Sequence, residues 1–347
     1  MKNVKTILIF IITSTLLLAS AQRVNSLGGN VGYWADDDNS WTAFPHTINN
    51  SNLAQVSGLG SADDHNAIVR WGDDTKWGFS WNQANANDMI NLQWGNGSMG
   101  ATFGLSMSAS DNGLSGDANV ATSSMGLSAS WGQEMGFGDL GVSFSNGSSD
   151  DGNAATKNDP GSMGLSVNLR RAQSLWLFDN MLVGFNYGSH NDSGGADAET
   201  SMALTTSLFT HIDIADGTTG LVAMGFGYVS IGNAGEVKDA AVSGIVFPAY
   251  TFAVESAMTD WATCRIGVNA GYILSSSTEE TGVSGAEATT GRGGMDTDFS
   301  VGLGFNYGSF NLDVDVSEGL FTNPVQHVTG YESIAPNDAT ATLTYAW

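Results

Sequence analysis

From about residue 65 to its end the chain alternates apolar and polar positions with a period of two, the spacing that sends successive side chains to opposite faces of a strand. In 98–108, Met99, Ala101, Phe103, Leu105 and Met107 stand against Gly100, Thr102, Gly104, Ser106 and Ser108. In 295–307, Phe299, Val301, Leu303, Phe305 and Tyr307 stand against Ser300, Gly302, Gly304 and Asn306. The same alternation marks 65–71, 76–82, 88–94, 121–131, 138–145, 162–171, 181–189, 200–212, 218–230, 244–256, 260–274 and 309–316, with Val246, Tyr250, Phe252 and Val254 on the apolar face of 244–256. Beyond the first 21 residues there is no long unbroken apolar run, which excludes membrane-spanning helices but not spanning strands.

The links between these segments sort by length. Short ones fall at Gly72–Thr75, Gly95–Gly97, Gly132–Phe137, Ala172–Asn180, Asp213–Gly217, Ala257–Thr259 and Gly308. Long ones, rich in Gly, Ser, Asn, Asp and Thr, fall between them at 109–120, 146–161, 190–199, 231–243, 275–294 and 317–338. Only 83–87 is short where a long link is due. Short turns at one end and long loops at the other characterise a membrane barrel. About fourteen strands follow residue 76, and 65–71 with Leu53–Leu59 bring the count to sixteen. The predicted fold is therefore all-β: a transmembrane antiparallel up-and-down β-barrel of about sixteen strands, the alternative being fourteen strands with an N-terminal plug.

The last nine residues, Ala339 to Trp347, put Ala341, Leu343, Tyr345 and Trp347 on one face and Thr340, Thr342 and Thr344 on the other. This ending resembles the C-terminal strand of bacterial outer-membrane β-barrel proteins, with Trp347 in place of the usual Phe. The resemblance implies residence in the bacterial outer membrane, contact with its lipid and lipopolysaccharide, and recognition by the barrel-assembly machinery through Tyr345 and Trp347. It leaves the oligomeric state open, a homo-oligomer included.

The start of the chain reads differently. Lys2 and Lys5, the apolar run Ile7 to Leu18 and the small residues Ala19-Ser20-Ala21 make 1–21 a signal peptide, since the run is shorter than the ~20 residues of a spanning helix. Residues 22–50, with Asp36-Asp37-Asp38 and the Trp41 to Pro45 cluster, show no alternation and are expected as a periplasmic or lumenal segment; 51–347 form the barrel.

Composition narrows the functional classes. Glycine is abundant at 45 of 347 residues and proline scarce at 5, unlike a disordered chain, which raises both. The net charge of −24 becomes about −26 without Lys2 and Lys5, with 9 basic residues against 35 acidic, and disfavours nucleic acid as a partner. The single cysteine, Cys264, cannot form an internal disulfide.

The inward face is the main functional clue. Side chains as small as Gly, Ser, Thr and Asn leave a wide barrel unfilled, which predicts a water-filled lumen and a porin-like channel for passive diffusion of small hydrophilic solutes. Its candidate lining charges are Arg70, Lys76, Arg170, Glu255, Arg265, Asp296, Asp298, Asp313 and Asp315, the four aspartates forming one acidic patch that favours cations, with Arg170 and Arg265 facing it. The aromatics near strand ends, among them Trp77, Trp81, Trp94, Trp131, Tyr187 and Trp261, are expected as two interfacial girdles. Competing readings are a structural or adhesin-like barrel and a plugged transporter of hydrophobic compounds. Five scattered histidines without a nucleophile motif give no sign of an enzyme, and nothing in the sequence calls for a metal or cofactor.

Overall fold

The computed structural model describes residues 22–60, 64–84, 87–111, 121–150, 160–191, 198–232, 240–280, 289–316 and 339–347. The expected signal peptide at 1–21 and most of the long links lie outside these residues.

Seventeen strands form one sheet. They are β1 (Leu53–Leu59), β2 (Asp64–Trp71), β3 (Thr75–Ala84), β4 (Asn87–Asn96), β5 (Met99–Asp111), β6 (Ala121–Met135), β7 (Gly138–Asp150), β8 (Gly161–Leu175) and β9 (Phe178–Asn191). There follow β10 (Glu199–Ala215), β11 (Thr218–Gly232), β12 (Ala240–Thr259), β13 (Ala262–Glu280), β14 (Thr289–Gly291), β15 (Met295–Tyr307), β16 (Phe310–Val316) and β17 (Ala339–Ala346). β14 and β15 both pair with β13 and make a single stave, so the barrel has sixteen staves. Each pairs antiparallel with its neighbours, and β17 closes on β1 with Leu53 opposite Ala346 and Val56 opposite Leu343. Closure is what lipid demands, because an unpaired strand edge there has no water to satisfy its backbone groups.

Alternation decides which side chains face lipid. Phe79, Leu92, Phe103, Met107, Met125, Phe252 and Leu343 are exposed on the outside, while the intervening Ser80, Gln93, Thr102, Thr342 and Thr344 are buried within. The links at one end shrink to two or three residues, at 72–74, 97–98, 136–137, 176–177, 216–217, 260–261 and 308–309. Expected links such as Ala172–Asn180 are mostly strand. Glycine with positive φ makes several of these turns, as at Gly97 (59°) and Gly308 (61°), but Trp176 occupies the corresponding position at 56°. Aromatics crowd this end: Trp71, Trp77, Trp176, Trp261, Tyr307 and Trp347 are all exposed there, whereas Trp81 and Tyr187 stand nearer the other end.

One strand breaks the expected alternation. Val246 was assigned to the lipid face, but it is 4% exposed and lies inside opposite Ile273. The register slips between Val246 and Ala249, so the side of each residue reverses across that bulge. Phe247, not Val246, faces outward.

Residues 22–52 fill the short-turn half of the lumen. They form a helix, α1 (Gln22–Ser26), and three 3-10 turns at Val31–Tyr33, Ser40–Thr42 and Pro45–Asn50. The small inner side chains that suggested an empty lumen are what admit this plug. A Cβ on Gly100 or Gly132 would strike Pro45, one on Gly141 the carbonyl of Ala43, one on Gly267 Leu27 and Gly28, and one on Gly302 Ser26. These five wall glycines are sockets for the plug rather than holes for water. Sixteen staves and a plug thus occur together, and of the two places expected for 22–50, periplasmic or lumenal, the segment takes the lumenal one. No helix among the described residues is long and apolar enough to cross a membrane.

Candidate functional site: the plug and the cavity above it

On one flank the plug is held by apolar contact. Leu27, Tyr33, Trp34 and Phe44 bury against Leu182, Phe209, Leu221 and Ala253 of β9 to β12. Tyr33 packs its ring 5.0 Å from that of Phe209. A fully buried Phe or Leu side chain contributes about 1.5–3 kcal/mol, and both Phe44 and Leu27 are 0% exposed.

Elsewhere the hold is polar and centres on three wall arginines. Arg70 on β2, 1% exposed, donates from Nε to Gln93 (2.8 Å) and from a terminal nitrogen to the carbonyl of Asp38 (3.0 Å), with its guanidinium 5.3 Å from the centre of the Trp41 ring. Arg170 on β8 donates to Asp139 (2.7 and 3.0 Å) and to the carbonyl of Gly32 (3.2 Å), and lies 4.5 Å over Phe44. His46 of the plug meets the same Asp139 at 3.3 Å. Arg265 on β13 bonds Glu255 (2.8 Å) and Asp313 (2.5 Å), and Glu255 in turn receives Arg23 of α1 at 2.9 Å. Arg23 also reaches Asp37 at 3.0 Å and Asp36 at 3.3 Å within the plug. Going round the barrel, the three arginines stand six, five and five staves apart, a three-point mount.

The other charges expected to line a pore are distributed as follows. Lys76 holds Asn52 (2.8 Å) and the carbonyl of Gly72 (2.6 Å) at the short-turn rim. Asp315 faces inward opposite Gly302, with one carboxylate oxygen buried and unpaired among the described residues. Asp298, exposed, lies opposite Asn269, and Asp296 opposite Gly271. The four aspartates do not form one patch. Asp313 sits opposite Gly304, six residues along β15 from Asp298, which is about 20 Å at strand rise. Arg265 binds Asp313 directly instead of facing it across the lumen.

Above the plug, toward the long-link end, lies a cavity of about 510 Å³. Its floor is the plug segment Gly28 to Tyr33 with Asn25, and its walls are Asn168, Asn186, Thr205, Ser207, Asn269 and Ser300, with Asp298 at the side. Sequence reasoning missed this site because its floor comes from a segment without periodicity. The run Gly28-Gly29-Asn30, with positive φ at both glycines, was the available signal.

No protein-family profile and no curated protein matches the chain. Among solved structures it is similar to CdiB from Escherichia coli, at 10% identity and a TM-score of 0.43 over 85% of this chain and 62% of that one. CdiB from Acinetobacter baumannii gives 10% identity and a TM-score of 0.43 over 85% of this chain and 59% of that one. The siderophore receptor PirA from Pseudomonas aeruginosa gives 11% identity and a TM-score of 0.30 over 85% and 79%. The chain thus spans about three fifths of the length of the CdiB proteins. Its own geometry, sixteen closed antiparallel staves with apolar residues outside and polar ones within, makes the protein a β-barrel of the membrane-spanning kind with its N-terminal segment seated in the lumen.

Proposed function

We propose that the protein is a plugged outer-membrane channel, through which small hydrophilic solutes diffuse passively when the N-terminal segment shifts. The observation that carries this reading is the division of the lumen. Its long-link half holds a cavity lined by amides, hydroxyls and apolar side chains, and its short-turn half is closed by a segment held at three arginines of the wall. Such a mount is strong as a whole but gives way one point at a time.

The channel prefers cations. Arg70, Arg170 and Arg265 are all engaged beneath the cavity and Lys76 at the rim, Asp298 lines the cavity, and the chain carries a large acidic excess. A negative wall concentrates cations and repels anions. Tyr345 and Trp347 serve assembly as the ending read by the barrel-assembly machinery, and lipopolysaccharide surrounds the outer half.

The test is conductance in planar bilayers, comparing the whole chain with one lacking 22–50. The whole chain should show low or intermittent conductance and the deletion a steady, larger one, with reversal potentials in a salt gradient of cation sign. The preference should fade in strong salt, as the screening length falls from ~10 Å at 0.1 M to ~3 Å at 1 M. Silence in both forms would favour the structural barrel, and anion preference would remove the charge argument.

A further inference from the structure

The cavity above the plug has a chemistry that selects its occupant, and we infer that it binds a neutral, hydroxyl-rich solute of mono- or disaccharide size. This deepens the channel reading and rests on it for how a solute reaches the site. At about 510 Å³ the cavity falls within the range of small-molecule sites, roughly 300–1,000 Å³.

Its polar groups are amides and hydroxyls. Asn25 and Asn30 rise from the plug floor, while Asn186, Thr205 and Ser207 project from β9 and β10. Asn30 already accepts from the Gly32 N–H, and Thr205 reaches the Gly184 carbonyl, but side-chain amides both donate and accept, as sugar hydroxyls do, so the capacity left to these groups suits a polyol without either side carrying charge. No basic side chain lines the cavity among the described residues, because the nearby wall arginines are committed beneath the plug. An anion would find no counter-charge here and would meet Asp298. A cation would find that single carboxylate at the side and otherwise neutral wall. The larger part of the lining is apolar, with Phe44, Leu182, Phe226 and Val246 among its residues, and suits the carbon faces of a sugar ring.

The floor adds a second argument. Gly29, at φ 74°, has open space where a Cβ would be, with no atom within 4 Å, whereas the same test at Gly28 strikes Thr251. The loop is therefore seated by Gly28 and leaves bare backbone at Gly29 facing the cavity. A solute there would bridge wall and plug, touching β9 and β10 on one side and the loop on the other.

The experiment is equilibrium binding to the full-length chain in nanodiscs. The probes are glucose, galactose, maltose and sucrose, set against glucosamine and glucose 6-phosphate. Two near-isosteric variants, Asn186→Leu and Thr205→Val, remove one polar group each without touching the arginine mount. At least one neutral sugar should bind, each variant should weaken it about fivefold or more, and glucose 6-phosphate should bind at least tenfold more weakly. The proposal is overturned if none of the four sugars binds, if either charged analogue binds more tightly, or if neither variant changes binding while both remain heat-modifiable. Binding does not require conduction, so a silent channel that still binds sugar would refute the diffusion reading and leave the site standing.

Discussion

Arg265 is where wall and plug meet, since its guanidinium neutralises Asp313 on β16 and shares Glu255 with Arg23 of the plug. Asp313 and Arg265 are 6% and 5% exposed, so removing the cation leaves carboxylates with poor access to water. Breaking a buried pair from one side costs about 3–5 kcal/mol. Arg265→Met puts that loss on the wall, where Asp313 and Glu255 also sit; Glu255→Gln instead cuts Arg23 of α1 from the wall and puts the loss on the plug, with the strand ladder untouched. The expected result for Glu255→Gln is a heat-modifiable barrel in which residues 22–52 become sensitive to added protease and channel openings lengthen; a plug as protected as in the wild type would mean that this mount carries little. The sequence placed Arg70, Arg170 and Arg265 on the inward face but not their partners. In the plug those partners are the backbone carbonyls of Asp38 and Gly32, in a stretch with no period to orient it, and Arg265 is linked to the plug through Glu255, which it shares with Arg23.

At the level of the element, β15 allows the two faces to be compared at adjacent positions. Leu303 faces outward beside Val301 and Phe305, whereas Gly302 lies under Ser26 of α1. Leu303→Arg places a charge against lipid and should cost roughly 2–4 kcal/mol near the bilayer midplane, read as a lower unfolding midpoint in urea. Gly302→Arg should lower that midpoint less, since its Cβ presses on the Val314 carbonyl of β16 as well as on Ser26, and displace α1, read as raised conductance. Equal loss of stability in the two variants would show that this strand's faces are misassigned. Strands of this kind are legible from sequence because one face meets lipid and the other does not, and turns are legible because their lengths sort by end. Val246 was misread for a local reason: the register slip before Ala249 changes the parity that alternation relies on, and nothing in the apolar pattern records it. The plug was legible only as a region that fails to alternate. Its short 3-10 turns take their shape from the sockets around them, and those sockets were read as emptiness.

For the whole molecule, closure is the governing constraint. β17 joins β16 to β1 and supplies the partners of Phe310, Leu53 and Ala54 through Tyr345 and Ala346. Deleting Tyr345 to Trp347 leaves two neighbouring staves short of partners at one rim, where Phe310 and Tyr345 also pack ring to ring at 4.8 Å. The truncated chain should fail to reach the membrane, measured as surface-accessible protein in cells; normal levels would show that closure tolerates the loss. Removing 22–50 is the opposite case, since it takes nothing from the ladder and should spare insertion.

The position of α1 also orders events in time. Gln22 bonds Thr342, 320 residues later in the chain, and Arg23 bonds Glu255, 232 residues later. The segment made before any stave therefore finds its seat only once the last staves are in place. Contacts so distant in sequence form slowly, because a long loop must close before they reward it. Refolding into lipid should show two phases, with strand signal appearing first and protection of the Trp34 and Trp41 environment later. A chain begun at residue 51 should lose the slow phase and keep the fast one.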